Sequence, residues 1–146
     1  MKILAVGMNY AKHIDELSNQ CGPSDNNNDK KSLIPIEPVI FSKPDSAIIQ
    51  PGKPFFVPDV AERFDYETEI VVRINRAGKA ISERFAHRYY DELTVGIDFT
   101  ARDLQQRLRK EGLPWELCKG FDGSAGVGKF IKIADLGEQV QQLDFH

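Results

Sequence analysis

Polar and apolar residues alternate from residue 67 and then run apolar to residue 74 (Glu-Thr-Glu-Ile-Val-Val-Arg-Ile), which predicts a strand whose second half enters a core. Residues 75–78 turn it, and residues 94–99 return to strand character. Between them, Ser82 precedes Phe85, Tyr89 and Leu93 at helical spacing, the pattern of a capped helix. Thr100-Ala-Arg-Asp103 has the form of a capping box, Leu104 and Leu108 follow one turn apart, and Gly112 and Pro114 end the pattern. A helix is predicted there. Residues 2–6 read as a short buried strand, 9–17 as a helical turn or short helix and 130–133 as a strand, while 143–146 begin a further alternation.

Seven of the eight prolines lie between Pro23 and Pro58, and each fixes φ and removes a backbone donor. Turns joined by short strands are expected in that third. Residues 22–31 (GPSDNNNDKK) have the composition of a flexible surface loop. No internal repeat is visible.

At 146 residues, 41% hydrophobic and 28% charged, the chain suits one soluble domain spanning 1–146. A formal net charge of -3 supplies no broad cationic field for a phosphate backbone, so generic nucleic-acid binding is disfavoured. The apolar runs at 3–6 and 39–41 are far shorter than the roughly 18 residues of a membrane span. Asn9, Lys12 and His13 break the N-terminal apolar segment before a signal-peptide core is complete, which predicts a cytoplasmic protein. Cys21 and Cys118 form no Cys-x-x-Cys pair and are expected as free thiols, Cys21 exposed and Cys118 packed.

Asp65, Glu67 and Glu69 are spaced by two, so a strand projects their carboxylates from one face and Tyr66, Thr68 and Ile70 from the other. Two such charges about 5 Å apart repel by about 3 kcal/mol at an effective dielectric of about 20. A hard divalent cation reverses that sign, and a solvated strand face is the alternative. Asp98, at the end of the apolar strand Val95-Gly-Ile-Asp-Phe99, is the candidate third ligand, or else a local turn support. His13 and Glu16, three apart, share a helix face, which suits a carboxylate-oriented general base or a surface pair. Lys119 interrupts the apolar and glycine-containing segment 115–121, placing its ammonium in a cleft or snorkelling at the surface. Residues 123–129 match Gly-x-x-x-x-Gly-Lys, but Phe130 replaces the metal-binding Ser or Thr and strand character follows, so these glycines are read as shaping a tight loop. Gly7 lacks the further glycines of a dinucleotide fingerprint.

In order along the chain, Val6-Gly-Met-Asn-Tyr-Ala-Lys-His13 with Glu16, Phe41-Ser-Lys-Pro44, Glu67-Thr-Glu69, Gly96-Ile-Asp98 with Thr100-Ala-Arg-Asp103 and Gln105, and Pro114-Trp115 with Lys119 resemble the fumarylacetoacetate hydrolase family. The likeness is to its acylpyruvate hydrolase and oxaloacetate decarboxylase branch and covers residues 1 to about 137. It implies a β-rich α+β fold, the family's mixed β-sandwich roll with short helices. It also implies Mg²⁺ or Mn²⁺, with Ca²⁺ as a substitute, on Glu67, Glu69 and Asp98; a water-activating dyad of His13 and Glu16; the active-site Lys119; and Arg102 and Gln105 in the substrate pocket. The implied partners are a small 2,4-dioxo acid or oxaloacetate and a second copy in a homodimer. Hydroxymuconate-type isomerisation is the second enzymatic expectation, and an inactive fragment or dimerisation module the third. The family's catalytic unit runs on past the position of His146, so the resemblance implies a missing C-terminal part.

Overall fold

Two antiparallel sheets carry the residues that the computed structural model describes, 2–9 and 37–137. The chain divides into two compact units, one up to Asp45 and one from Ser46. In the first, β1 (Ile3–Gly7) pairs with β2 (Val39–Lys43), Ile3 opposite Lys43 and Gly7 opposite Val39. The strand expected at 2–6 is therefore present, displaced by one residue, but it is not buried as expected: Leu4 and Val6 are exposed. The helix expected at 9–17, the loop at 22–31 and Cys21 lie outside the described residues.

The second unit is built on β3 (Phe64–Ile74) and β4 (Tyr90–Ala101), paired antiparallel in one register from Phe64 opposite Ala101 to Arg73 opposite Glu92, with a shift before Ile74. β4 is central. On its other edge β5 (Ala125–Val127) pairs with its Gly96–Asp98 stretch, and β6 (Ile131–Lys132) with Glu92 and Leu93. Gly96 permits this close spacing, because a Cβ there would lie 2.6 Å from Val71 Cγ2 and 2.9 Å from the Gly126 carbonyl oxygen.

Helix α1 (Arg102–Glu111) follows β4 directly and buries Leu104 and Leu108, the two leucines whose spacing predicts it. With Ala101 and Cys118 they form a small core, against which Ala61, Phe64, Trp115 and Phe121 pack. Each such leucine contributes about 1.5–3 kcal/mol by leaving water. Gly112, at φ 67°, closes the helix: Leu113 donates its N–H to the Leu108 carbonyl at 2.9 Å, the long bond of a Schellman ending. Short helices α2 (Glu116–Lys119) and α3 (Ile133–Leu136) complete the unit, and no helix among the described residues is long and apolar enough to cross a membrane.

Four local expectations are corrected. Thr100-Ala-Arg-Asp103 is not a capping box: Ala101 is the N-cap without a side-chain bond, Thr100 belongs to β4, and Asp103 Oδ2 accepts the Glu62 N–H at 3.1 Å. Ser82 precedes only a 3-10 turn, Glu83–Arg88, and Leu93 lies in β4, because pairing with β3 claims the chain from Tyr90 onward. The strand expected at 130–133 shortens to β6 and turns into α3. Finally, the apolar end of β3 enters no core among the described residues: Ile70, Val72 and Ile74 are 46%, 41% and 66% exposed.

Candidate active site

The two faces of the β3–β4 ladder are inverted with respect to ordinary patterning. One face carries the solvent-exposed Tyr66, Ile70, Val95 and Ile97. The other carries Asp65, Glu67 and Glu69, all half-buried, with the buried Asp98 and Thr100. Register explains the grouping, since directly opposed residues share a face: Glu67 faces Asp98, Asp65 faces Thr100 and Glu69 faces Gly96.

Two cations hold this acidic face. Lys119, buried at the end of α2, donates to Glu67 Oε2 at 2.6 Å, Asp98 Oδ2 at 2.7 Å and Thr100 Oγ1 at 2.6 Å. Its backbone is fixed as well, since its N–H reaches the Trp115 carbonyl at 2.9 Å and its own carbonyl accepts the fully buried Ser124 hydroxyl at 2.9 Å. Arg102, first residue of α1, donates through Nε to Asp65 Oδ2 at 2.7 Å, through Nη1 to Gln105 Oε1 at 2.5 Å, and through Nη2 to Glu67 Oε1. Glu67 thus gives one oxygen to each cation.

Electrostatics follow from this geometry. Burial works to raise the Glu67 carboxyl, but Lys119 and Arg102 outweigh it and hold that group below its ordinary value. Asp65 is lowered too: burial opposes, while Arg102 and Arg63 prevail. Desolvation works against the Arg102 charge, and the bonds to Asp65 and Glu67 reverse it, leaving the guanidinium raised.

The structure brings together Glu67, Asp98, Lys119, Arg102 and Gln105 of the residues singled out in the sequence, and places Glu69 on the same face. Lys119 is in the interior rather than snorkelling. His13 and Glu16 lie outside the described residues. Asp65, read from the sequence as sharing the face of Glu67 and Glu69, lies there and accepts from Arg102. Thr100 and Ser124 are additions to the expected set; Thr100 could have been found by extending period two from Asp98, and nothing in the sequence marks Ser124.

As hard oxygen donors on one face, Glu67 and Asp98 suit a divalent ion in chemistry. Among the described residues, however, no three acidic, histidine or cysteine side chains gather closely enough to hold one, and the point where Glu67 and Asp98 meet is taken by the Lys119 ammonium.

A sheet whose acidic face is bonded to a buried lysine and to an arginine is a polar centre rather than a packing core. The family model for the fumarylacetoacetate (FAA) hydrolase C-terminal domain matches residues 2–145, and the chain belongs to this family. It is 36% identical over 135 residues to the mitochondrial oxaloacetate tautomerase of Caenorhabditis elegans, covering 92% of this chain and 57% of that protein. It is 33% identical over 135 residues to an oxaloacetate tautomerase of Escherichia coli, covering 92% of this chain and 56% of that protein. Among solved structures, it matches the fumarylpyruvate hydrolase of Pseudomonas aeruginosa in complex with Mn²⁺ and pyruvate at a TM-score of 0.73 and 31% identity, covering 94% of this chain and 55% of that one. The chain therefore spans about half the length of the relatives it matches. Its mixed fold of sheets and short helices agrees with that of the solved structure.

Proposed function

We propose that this chain carries the oxo-acid-binding centre of a divalent-metal-dependent enzyme that hydrolyses a carbon–carbon bond in small 2,4-dioxo acids, decarboxylates oxaloacetate, or does both. The observation that carries this reading is the convergence of Glu67 and Asp98 on one buried cationic point, with Arg102 and Gln105 beside it. In this proposal Glu67, Glu69 and Asp98 would hold Mg²⁺ or Mn²⁺. When bound, such an ion supplies Lewis-acid polarisation of a 2-oxo carboxylate.

The chain's own residues supply the rest. His13, oriented by Glu16, takes a proton from the water that adds to the distal carbonyl. The carbon–carbon bond then breaks, one fragment leaving as a carboxylic acid and the other keeping the electron pair as pyruvate enolate. The Lys119 ammonium stabilises that negative charge, and protonation at carbon gives pyruvate. Arg102 and Gln105 orient the substrate's carboxylate. Loss of CO₂ from oxaloacetate leaves the same enolate, so one centre serves both reactions. The assembly proposed is a homodimer.

A second reading is favoured by the tautomerase relatives. There the same base and ammonium move a proton between carbon and oxygen of oxaloacetate and break no carbon–carbon bond. Hydroxymuconate-type isomerisation is a variant of this proton shift. A third reading is a non-catalytic dimerisation module.

Product analysis by NMR on acylpyruvates and oxaloacetate, with and without chelator, tests all three. Chelator-sensitive pyruvate release is expected. Keto–enol conversion without pyruvate selects the tautomerase reading, and no turnover of any substrate selects the third.

A further inference from the structure

We infer that the connection between β3 and β4 carries a binding site for a small aromatic phosphate, in a cleft of about 340 Å³ lined by Arg76, Ile81, Ser82, Phe85, Arg88 and Tyr89. The inference stands apart from the metal-dependent reading. Tyr90, which follows the cleft, and Asp98 are separated by most of β4, about 25 Å at the usual rise of a strand.

Charge is the first argument. Residues 76–89 hold Arg76, Lys79, Arg84 and Arg88 against a single acid, Glu83, in a chain whose formal net charge is -3. Arg63, Arg73 and Arg102 each hold a carboxylate, whereas Arg76, Arg84 and Arg88 enter no ion pair among the described residues. Arg84 and Arg88 instead stand over one ring, that of Phe85, with Cζ 4.7 and 4.6 Å from its centroid. Arg76 lies over Tyr89, at 5.9 Å. A ring face attracts a cation without neutralising it. The guanidiniums therefore repel one another, and an anion set among them removes that repulsion.

The cleft is held in shape at its base. The strands close the connection at Ile74 opposite Tyr90, the Asn75 N–H reaches the Tyr89 carbonyl at 3.0 Å, and the Asn75 side chain donates to Asp91 at 2.5 Å. Gly78 backs onto the lining, since a Cβ there would lie 2.5 Å from Tyr89 Cε1 and 3.0 Å from Ile81 Cγ1. Within the 3-10 turn, the Phe85 N–H bonds to the Ser82 carbonyl at 2.9 Å and the Tyr89 N–H to the Ala86 carbonyl at 3.0 Å. The rings are thus placed before any ligand arrives, which lowers the ordering cost of binding.

These groups select the ligand. A guanidinium presents a planar fork of donors that matches phosphate and carboxylate oxygens. Arg76 and Arg88 come from opposite ends of the connection, and the Ser82 hydroxyl is a third donor in the lining. Donors so spread suit a group with oxygens in several directions, as a tetrahedral phosphate has and a flat carboxylate has not. Ile81, Phe85 and Tyr89 offer apolar surface to a planar body joined to that phosphate. The volume is at the lower end for small-molecule sites, enough for one ring and its phosphate.

Titration of the full chain with phenyl phosphate, inorganic phosphate and benzoate, by calorimetry and by NMR of the arginine Nε–H groups, tests this. Phenyl phosphate is expected to bind with a Kd of about 1 mM or below, at least about fivefold more tightly than the other two, and to move the Arg76 and Arg88 signals. Arg76→Gln and Arg88→Gln, both at exposed positions, should each weaken it about tenfold, and Arg107→Gln on α1 should leave it unchanged. Absence of binding at about 10 mM overturns the inference. Equal weakening by all three variants overturns it too, because it would report general charge rather than a site. Equal affinity for inorganic and phenyl phosphate removes the aromatic part of the assignment, and tighter binding of benzoate removes the phosphate.

Discussion

Glu67 and Asp98 stand directly opposite each other across β3 and β4, and a single ammonium, that of Lys119, bonds to both. Like charges facing each other across a ladder destabilise it. Here the repulsion becomes a clamp, because the bonds to Lys119 span 52 residues to Glu67 and 21 to Asp98 and tie α2 to both strands. The Lys119 ammonium is therefore part of what holds the second unit together, besides the role proposed for it above. Chemistry and stability are coupled at this point of the fold.

Acid should loosen the clamp. Glu67 and Asp65 are held below their ordinary values of 4.5 and 3.8, so in the folded state they release protons at lower pH than in the unfolded state. Between the folded and unfolded values the unfolded chain binds more protons, and stability rises with pH there. The contribution is present above the unfolded values and is lost as pH falls through the depressed folded ones. Urea melts from pH 7 to pH 3 are expected to show a falling acid limb below about pH 4.5. Glu67→Gln should be less stable at pH 7 and show a shallower limb; equal slopes in the two proteins would contradict the linkage.

Thr100 is fully buried and its hydroxyl lies 2.6 Å from Lys119 Nζ. Thr100→Val keeps the shape and removes the acceptor, leaving a buried ammonium short of one bond. The expected cost is about 2 kcal/mol, within the range for an unsatisfied buried polar group. Thr100→Ser should recover most of it. Comparing denaturant midpoints of the three proteins checks this, and a valine variant as stable as the parent would show that Lys119 does not depend on the hydroxyl.

Much of the frame was legible in the sequence. Leu104, Leu108 and Gly112 delimit α1 by spacing and by a left-handed stop, both local properties. Glu67 and Asp98 were legible as candidates from period two and strand-end position. Their pairing was not, because register is a long-range property that no local pattern encodes. The capping-box reading of Thr100 failed for a related reason. Its hydroxyl can bond a helix N-terminus or a distant lysine, and the pull of a buried ammonium from α2 is invisible at residues 100–103. Polarity misled most on β3, where Ile70 and Val72 face solvent and Glu67 faces inward.

Arg102 separates binding from bulk charge. Its fork reaches Asp65 and Glu67, with the guanidinium side chain 14% and that of Asp65 29% exposed. Lysine keeps the charge but cannot present the planar fork. Arg102→Lys is therefore expected to cost about 1–2 kcal/mol, less than a fully buried charge-assisted pair because solvent screens part of it. A double-mutant cycle with Asp65→Asn should give a coupling of about 1 kcal/mol. Coupling indistinguishable from zero would reduce the contact to coincidence.

Gly96 should be the backbone position least tolerant of a methyl group in β4. A Cβ there would meet Val71 Cγ2 at 2.6 Å, which a side chain can relieve, and the Gly126 carbonyl oxygen at 2.9 Å, which only movement of β5 can relieve. That movement would disturb the segment that pairs with Asp98 through Ala125 and contains the Phe99-to-Ser124 backbone bond of 3.0 Å, and so the hydroxyl that anchors Lys119. Gly96→Ala is expected to cost about 2 kcal/mol, in the range for overpacking. Adding Val71→Ala should return only part of the stability, since the carbonyl contact remains. Melting curves of the two single variants and the double variant measure this directly: strictly additive losses would show that Val71 and the new methyl group never meet.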